Sequence, residues 1–83
     1  CRVEVEKMIS TGRIDMVVET STIIYVLELK LSNNGGVNAA AEQIKAKRYA
    51  EPFKADKRKI IALAIELEDL GKGLIDWKEV SFA

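Results

Sequence analysis

The stretch RIDMVVETSTIIYVLELKL, residues 13–31, contains two apolar segments on either side of a short polar connection. The pattern predicts two strands, at 13–19 and 23–31. Because residues 20–22 leave room only for a tight turn, we predict an antiparallel hairpin. The second segment is apolar at every position from 23 to 27, which is typical of a strand at the centre of a sheet.

The register of this hairpin decides which charged side chains meet. If the two residues after Thr20 form the loop, Thr20 pairs with Ile23, and Asp15 then lies directly opposite Glu28. Side chains on one face of a strand repeat every two residues, so Lys30 shares the face of Glu28. A slip of one residue would turn Asp15 to the other face, and Ser-Thr is not a strong turn signature.

Two carboxylates held this close repel each other, and a divalent cation between them would remove the repulsion. Mg²⁺, with Mn²⁺ as an alternative, suits such a pair because it keeps several waters and completes its coordination with phosphate. Lys30 would then stabilise charge on the phosphate or assist deprotonation of the attacking water. The alternative interpretation is that Asp15, Glu28 and Lys30 are strand-end charges in a surface salt bridge.

Outside the hairpin, the pattern predicts one strand before it and a helix and two strands after it. These elements are a strand at 2–9, a helix at about 38–51, a buried strand at 59–66 and an edge strand at 74–82. Asn38 is the expected N-cap, Pro52 ends the helix, and Gly71-Lys72-Gly73 forms a turn. The order βββαββ predicts an α/β fold with a mixed sheet, in which the fourth strand runs parallel to a central one.

Composition limits the chemistry that the chain can perform. With 83 residues, one cysteine and no histidine, it excludes intramolecular disulfides, Cys-thiolate zinc sites, Ser-His-Asp triads and Cys-His pairs. Any hydrolysis must therefore use carboxylates, lysine and a hard cation. No apolar run approaches the length of a membrane helix. The chain starts without Met or a signal-peptide pattern, so we expect 1–83 to be a single domain of a longer cytoplasmic protein.

A formal net charge of zero hides a basic block. Residues 45–59 contain seven basic and two acidic side chains. Such a block is suited to a polyanion, and the alternative interpretation is a solvated helix face and loop.

Four motifs occur in order: Glu6, Gly12-Arg13-Ile14-Asp15, Glu28-Leu29-Lys30 and QIKAKRYA at 43–50. Together they resemble the PD-(D/E)XK nuclease superfamily, and most closely the branch found C-terminal to an AAA-ATPase-like module in bacterial proteins. The resemblance implies a restriction-endonuclease-like core and Mg²⁺-dependent phosphodiester hydrolysis. That core usually starts with a helix, which is missing here. We therefore expect either that the helix lies in a part of the protein before residue 1, or that a partner, such as a second copy in a homodimer, covers one sheet face.

The resemblance also implies roles for particular residues. Asp15 and Glu28 would bind the metal and Lys30 would be catalytic. Glu6 would be a further acidic position, and the alternative for it is a solvent-facing strand residue. Gln43 and Lys47, one helical turn apart, would line the active site and touch phosphate or the water bound to the metal; the alternative is an exposed polar flank of the helix. The basic block itself predicts Lys45, Lys47 and Arg48 as nucleic-acid-binding residues. Arg13 shares the face of Asp15, so it could either bind phosphate or pair with Asp15. The sequence favours a core position over a catalytic role for Tyr49, and a core or interface position over base stacking for Trp77.

Three functions are therefore weighed. The first is a Mg²⁺-dependent nuclease domain that acts on DNA. The second is a non-catalytic interaction domain that serves an attached ATPase module, and the third is a nucleic-acid-binding module that uses the basic block without cleavage. The presence of Asp15, Glu28 and Lys30 together favours the nuclease.

Overall fold

The computed structural model of the chain describes residues 1–10, 12–68 and 73–81. Within these ranges five strands form one mixed sheet in the order β1-β2-β3-β4-β5, and the helix lies between β3 and β4 in the chain. The elements are β1 (Arg2–Ile9), β2 (Gly12–Glu19), β3 (Ile23–Leu31), α1 (Gly36–Ala46), β4 (Lys59–Leu67) and β5 (Leu74–Val80). The predicted restriction-endonuclease-like α/β class and the order βββαββ are confirmed.

The central hairpin has the predicted register. Strands β2 and β3 pair antiparallel from Met16 opposite Leu27 towards the turn, and the amide of Thr20 donates to the carbonyl of Ile23 at 2.8 Å. The hydroxyl of Thr20 also accepts hydrogen bonds from the backbone amides of Thr22 and Ile23, at 3.3 and 2.9 Å. These side-chain hydrogen bonds explain why a Ser-Thr loop can close a tight hairpin without glycine.

Strand β4 returns parallel to β3, as predicted, and places β3 third among the five strands. Its first amide, at Lys59, donates to the carbonyl of Thr22 in the hairpin turn at 3.2 Å. Strand β5 pairs antiparallel with the other side of β4 and forms one edge of the sheet. Residues 71–72 of the predicted turn and Phe82 at the predicted end of β5 lie outside the described residues.

Arg58 ties the start of β4 to the same hairpin. Its guanidinium donates to both carboxylate oxygens of Asp56, at 2.9 and 2.7 Å, and to Glu19 at 2.8 Å. A further hydrogen bond reaches the carbonyl of Thr20 at 3.0 Å. The hydrogen bonds from Arg58 lower the pKa of Asp56 to about 2. Arg58 is therefore a structural member of the basic block.

Helix α1 packs against β3, β4 and β5 on one face of the sheet. Small side chains on the helix (Ala40, Ala41) and on β4 (Ala62, Ala64) are buried in the same cluster, which allows the helix to lie close to the strands. The buried apolar residues are Ile14, Val17, Ile24, Val26, Ala40, Ala41, Ile44, Tyr49, Phe53, Ala62, Ala64 and Val80. No helix in the described ranges is long and apolar enough to cross a membrane.

The predicted C-terminal end of the helix, near residue 51, is wrong. Arg48 adopts a left-handed conformation with φ of 51°, and its amide donates to the carbonyl of Lys45 at 3.2 Å. The amide of Tyr49 donates to the carbonyl of Ile44 at 3.4 Å. This pair of hydrogen bonds is a Schellman turn, which usually carries glycine where Arg48 stands. Pro52 lies six residues beyond Ala46, the last residue of the helix, in a short 3₁₀ segment. The turn at Arg48, and not Pro52, therefore ends the helix.

The predicted N-cap, Asn38, is also wrong, because the helix begins at Gly36 and has no cap from its own preceding side chain. The carboxylate of Glu66 at the end of β4 takes that role. It accepts the amide of Val37 at 2.9 Å and the hydroxyl of Ser32 at 2.7 Å. Negative charge beside the first helical amides is favourable, so the cap is a tertiary contact that the helix sequence cannot show.

The sheet face opposite α1 is only partly covered within the described residues. Cross-strand neighbours on this open face, such as Val3 opposite Val18 and Trp77 opposite Ile65, are apolar. Trp77 is 58% exposed, so the core alternative for this residue is wrong, whereas its role as an interface anchor stays a prediction.

Gly36 offers a test of the Glu66 cap. Its φ is 62°, and a Cβ atom there would collide with the carboxylate of Glu66, whereas Gly73 has φ of 102° and open space around it. Both Gly→Ala changes should cost about 1–2 kcal/mol for the left-handed backbone. We expect Gly36→Ala to lower the free energy of unfolding in urea further, because it also displaces the cap. Equal losses for Gly36→Ala and Gly73→Ala would contradict this role of Glu66.

Candidate active site

An open cavity of about 570 Å³ lies where the end of β3 meets the start of β2 and helix α1. Its lining residues are Met8, Gly12, Arg13, Asp15, Glu28, Leu29, Lys30, Leu31, Asn34, Gln43 and Lys47. All four side chains predicted as catalytic (Asp15, Glu28, Lys30 and Gln43) are therefore brought together in one place. Polar groups that converge in a cleft are typical of a binding or active site.

The cavity opens because β2 and β3 separate. Their paired residues end at Met16 and Leu27, although β3 continues to Leu31 alongside β4. Beyond that point the amide of Leu29 donates to the Asp15 carboxylate at 2.9 Å. Asp15 thus replaces a backbone acceptor and keeps its carboxylate beside the end of β3.

Glu28 is the one buried charged residue in the described core, at 2% exposure. Its carboxylate contacts the hydroxyl of Tyr49 at 3.1 Å. Burial is the main cause that raises the pKa of Glu28, to about 7, and the negative charge of Asp15 adds to it. The Tyr49 hydroxyl and the Lys30 ammonium act in the opposite direction. Near neutral pH, this carboxyl therefore exists in both its protonated and its ionised form.

Lys30 lies two residues beyond Glu28, is half-buried and lines the cavity. Its neighbour on β4 is Glu66, whose carboxylate is occupied by Ser32 and Val37. Within the described ranges Lys30 forms no salt bridge or hydrogen bond. The surface salt bridge considered for Asp15, Glu28 and Lys30 is therefore absent from this part of the chain, and the ammonium of Lys30 can contact a bound anion.

Gln43 reaches the cavity from the last full turn of α1. Its amide nitrogen donates to the hydroxyl of Tyr49 at 3.0 Å. Tyr49 is fully buried, which confirms its predicted place in the core, and burial raises its pKa to about 12. Its hydroxyl also lies 2.7 Å from the carbonyl oxygen of Arg13. Helical spacing could not reveal these polar contacts, because the turn at Arg48 directs Tyr49 inward.

Glu6 and Arg13 form an exposed ion pair at 3.2 Å. The register between β1 and β2 places Glu6 across from Asp15, but these two residues do not pair, and Glu6 has φ of 57°. Glu6 does not line the cavity, whereas Arg13 does. Among residues 1–10, 12–68 and 73–81, no three acidic or cysteine side chains form a group that could hold a metal ion.

The three basic residues predicted on the helix separate into two positions. Lys47 lines the cavity, and Lys45 and Arg48 are exposed outside its lining. Elsewhere in the basic block, Lys54 pairs with Glu51 at 3.3 Å. Of the basic side chains at residues 45–59, therefore, only part of the positive charge lies at the cavity, at Lys47.

The donor set of the cavity fits a hard divalent cation. Asp15 and Glu28 supply carboxylate oxygens from neighbouring strands, and the open cavity leaves space for water and phosphate oxygens. Mg²⁺ is commonly held by one or two carboxylates together with waters and substrate phosphate. Two protein carboxylates are therefore sufficient for this kind of site.

Glu28 should make stability depend on pH in the absence of metal. Between about 4.5 and about 7 the unfolded chain loses this proton and the folded chain retains it, so stability falls as pH rises. We expect a loss of about 3 kcal/mol across that window. As pH rises through this window, the free energy of unfolding of the native protein should fall by this amount relative to that of Glu28→Gln.

The measurement is urea unfolding of the native protein, Glu28→Gln and Glu42→Gln, in EDTA, at several pH values. Glu42 is exposed on α1, so its substitution should follow the native profile. A constant difference between native and Glu28→Gln proteins across the window would contradict the raised pKa of Glu28.

A comparison with protein families shows to which family the chain belongs. A family model described as the PD-(D/E)XK nuclease superfamily matches residues 2–77, which include every lining residue of the cavity. The searches of curated proteins and of solved structures give no match. Since the family model spans most of the chain, the chain belongs to the PD-(D/E)XK nuclease superfamily.

Proposed function

We propose that this chain is a metal-dependent nuclease domain that hydrolyses phosphodiester bonds of DNA. The observation that carries the proposal is the convergence of Asp15, Glu28, Lys30 and Gln43 on one open cavity. Membership of the superfamily suggests a nuclease, and such nucleases generally use divalent metals. We further propose Mg²⁺, with Mn²⁺ as an alternative, as the metal and DNA as the substrate.

Asp15 and Glu28 would hold the cation. When bound, it would polarise the phosphodiester and make water a better nucleophile at neutral pH. The raised pKa of Glu28 means that a cation has to compete with a proton for this carboxylate. Glu6 is a third acidic candidate, and it would first have to leave its ion pair with Arg13.

Lys30 and Gln43 would act on the reacting groups. The ammonium of Lys30, which carries no salt bridge in the described chain, would stabilise negative charge on the phosphate. The amide nitrogen of Gln43 is bound to Tyr49, so its carbonyl oxygen would accept a hydrogen bond from the attacking water. Arg13 and Lys47 line the same cavity and would bind flanking phosphates.

Lys30→Ala tests the catalytic assignment. We expect the nicking rate of supercoiled plasmid in Mg²⁺ to fall about 100-fold or more, because charge stabilisation at the phosphate is lost. Lys30 makes no salt bridge in the described chain, so the thermal midpoint should stay close to that of the native protein. EDTA should abolish the native activity.

The control is Lys78→Ala, on edge strand β5, where the ammonium contacts Asn38 at 3.3 Å and does not line the cavity. It removes one positive charge and should leave nicking unchanged. A Lys30→Ala protein that nicks normally but melts earlier would show a structural role and contradict this site. Binding of DNA without any nicking by the native protein would favour the non-catalytic nucleic-acid-binding alternative.

The exposed basic pair Lys45 and Arg48 is expected to contribute non-specific DNA affinity. Glycine suits the left-handed backbone at Arg48, so the informative variant combines Lys45→Ala with Arg48→Gly. If each side chain neutralises one phosphate, the slope of log affinity against log salt should become shallower by about 2. Lys54→Ala, whose charge pairs with Glu51, is the control. An unchanged slope would assign Lys45 and Arg48 to solubility.

Three further expectations stay predictions. They are an AAA-ATPase-like module in the same full-length chain, a second copy that covers the open face, and a cytoplasmic location. The apolar side chains of that face, including Val3, Val5 and Trp77, support the expectation of a covering partner. That 1–83 forms a single domain of a longer protein likewise stays a prediction.

A further inference from the structure

The Tyr49 hydroxyl is the point where three elements of the candidate site meet. Its oxygen accepts a hydrogen bond from the side-chain amide of Gln43 on α1 at 3.0 Å. The same hydroxyl lies 2.7 Å from the carbonyl oxygen of Arg13 on β2 and 3.1 Å from the carboxylate of Glu28 on β3. The ring is fully buried, so the hydroxyl cannot exchange these partners for solvent. The left-handed turn at Arg48 directs this ring into the core directly after the helix.

These contacts lie where the sheet itself no longer holds β2 and β3 together. The ladder between the two strands ends at Met16 and Leu27, and Asp15 and Glu28 come immediately beyond that pair. Two side-chain links bridge the gap there. One is the Asp15 bond to the Leu29 amide, and the other is the Tyr49 hydroxyl, which joins Glu28 to the backbone two residues before Asp15.

We propose that Tyr49 is a positioning residue of this site, whose hydroxyl sets the separation of the Asp15 and Glu28 carboxylates and the orientation of Gln43. The inference rests on the proposed function for the identity of the groups that are positioned. Tyr49 touches neither substrate nor metal and acts through Glu28 and Gln43. Residues of this kind, which hold the direct metal ligands, typically change metal affinity or activity by 10–100-fold when they are substituted.

Tyr49→Phe removes the hydroxyl and keeps the ring. The control is Tyr25→Phe, because Tyr25 lies half-buried on β3 and its hydroxyl makes no hydrogen bond within the described residues. We expect calorimetric Mg²⁺ affinity to fall at least 10-fold in Tyr49→Phe and to match the native value in Tyr25→Phe. Nicking by Tyr49→Phe should recover in part as Mg²⁺ is raised. The assay is run at a temperature where circular dichroism shows the metal-free variant fully folded, so that stabilisation of the fold by Mg²⁺ does not contribute.

A native protein that nicks DNA, together with a Tyr49→Phe protein of native metal affinity and rate, would overturn the positioning role and leave the nuclease function standing. A native protein that neither binds Mg²⁺ nor nicks would overturn the nuclease function. The positioning role can then still be tested, because ¹⁵N relaxation measures how mobile the Gln43 side-chain amide is. This amide should be ordered in the native and Tyr25→Phe proteins and mobile in Tyr49→Phe, and equal order in all three would overturn it.

A native-protein measurement covers the case in which Tyr49→Phe fails to fold. In a Mg²⁺ titration followed by NMR, the Tyr49 ring and the Gln43 side-chain amide should shift over the same concentration range as the Leu29 amide, which reports on Asp15. A Leu29 amide that responds while Tyr49 and Gln43 do not would overturn the role of Tyr49.

Discussion

The Asp15 carboxylate accepts the amide of Leu29 at 2.9 Å, at the point where pairing between β2 and β3 has ended. This bond satisfies a backbone donor that would otherwise need a strand partner, and so it allows the two strands to separate without loss of a buried hydrogen bond. The separation creates the cavity, since β3 continues beside β4 to Leu31 while β2 turns away. Asp15 therefore takes the place of a strand partner where the pairing of β2 and β3 ends, and its carboxylate also lines the cavity.

The same arrangement buries a carboxylate, Glu28, in the core, which is electrostatically unfavourable. Glu28 is buried beside a second carboxylate, which explains why its pKa rises to about 7. A protein without use for negative charge at this position would be more stable with an apolar side chain there. Under the proposed function this cost has a reason, because a divalent cation held by Asp15 and Glu28 would relieve both the repulsion and the burial of charge.

Both ends of the helix depend on residues outside its apolar pattern. Glu66 from β4 caps its first turn, and the left-handed Arg48 closes its last turn. The consequence for the site is direct. The cap keeps the Glu66 carboxylate engaged beside Lys30, and the closing turn brings Tyr49 to Glu28. Helix placement and site geometry are thus set by the same contacts.

The local pattern was sufficient for the five strands, their order, the hairpin register and the parallel return of β4, because alternation, apolar runs and loop length act between near neighbours in the chain. The ordered motifs were likewise sufficient for the superfamily and for the meeting of Asp15, Glu28, Lys30 and Gln43 at the cavity, whereas Glu6 of the first motif lies outside its lining. The helix ends were not predictable, since Glu66 lies far from Gly36 in the chain and Arg48 occupies a position that favours glycine. The ion pair of Glu6 with Arg13 and the polar role of Tyr49 were decided by tertiary structure alone, because each depends on how strands and helix meet in space.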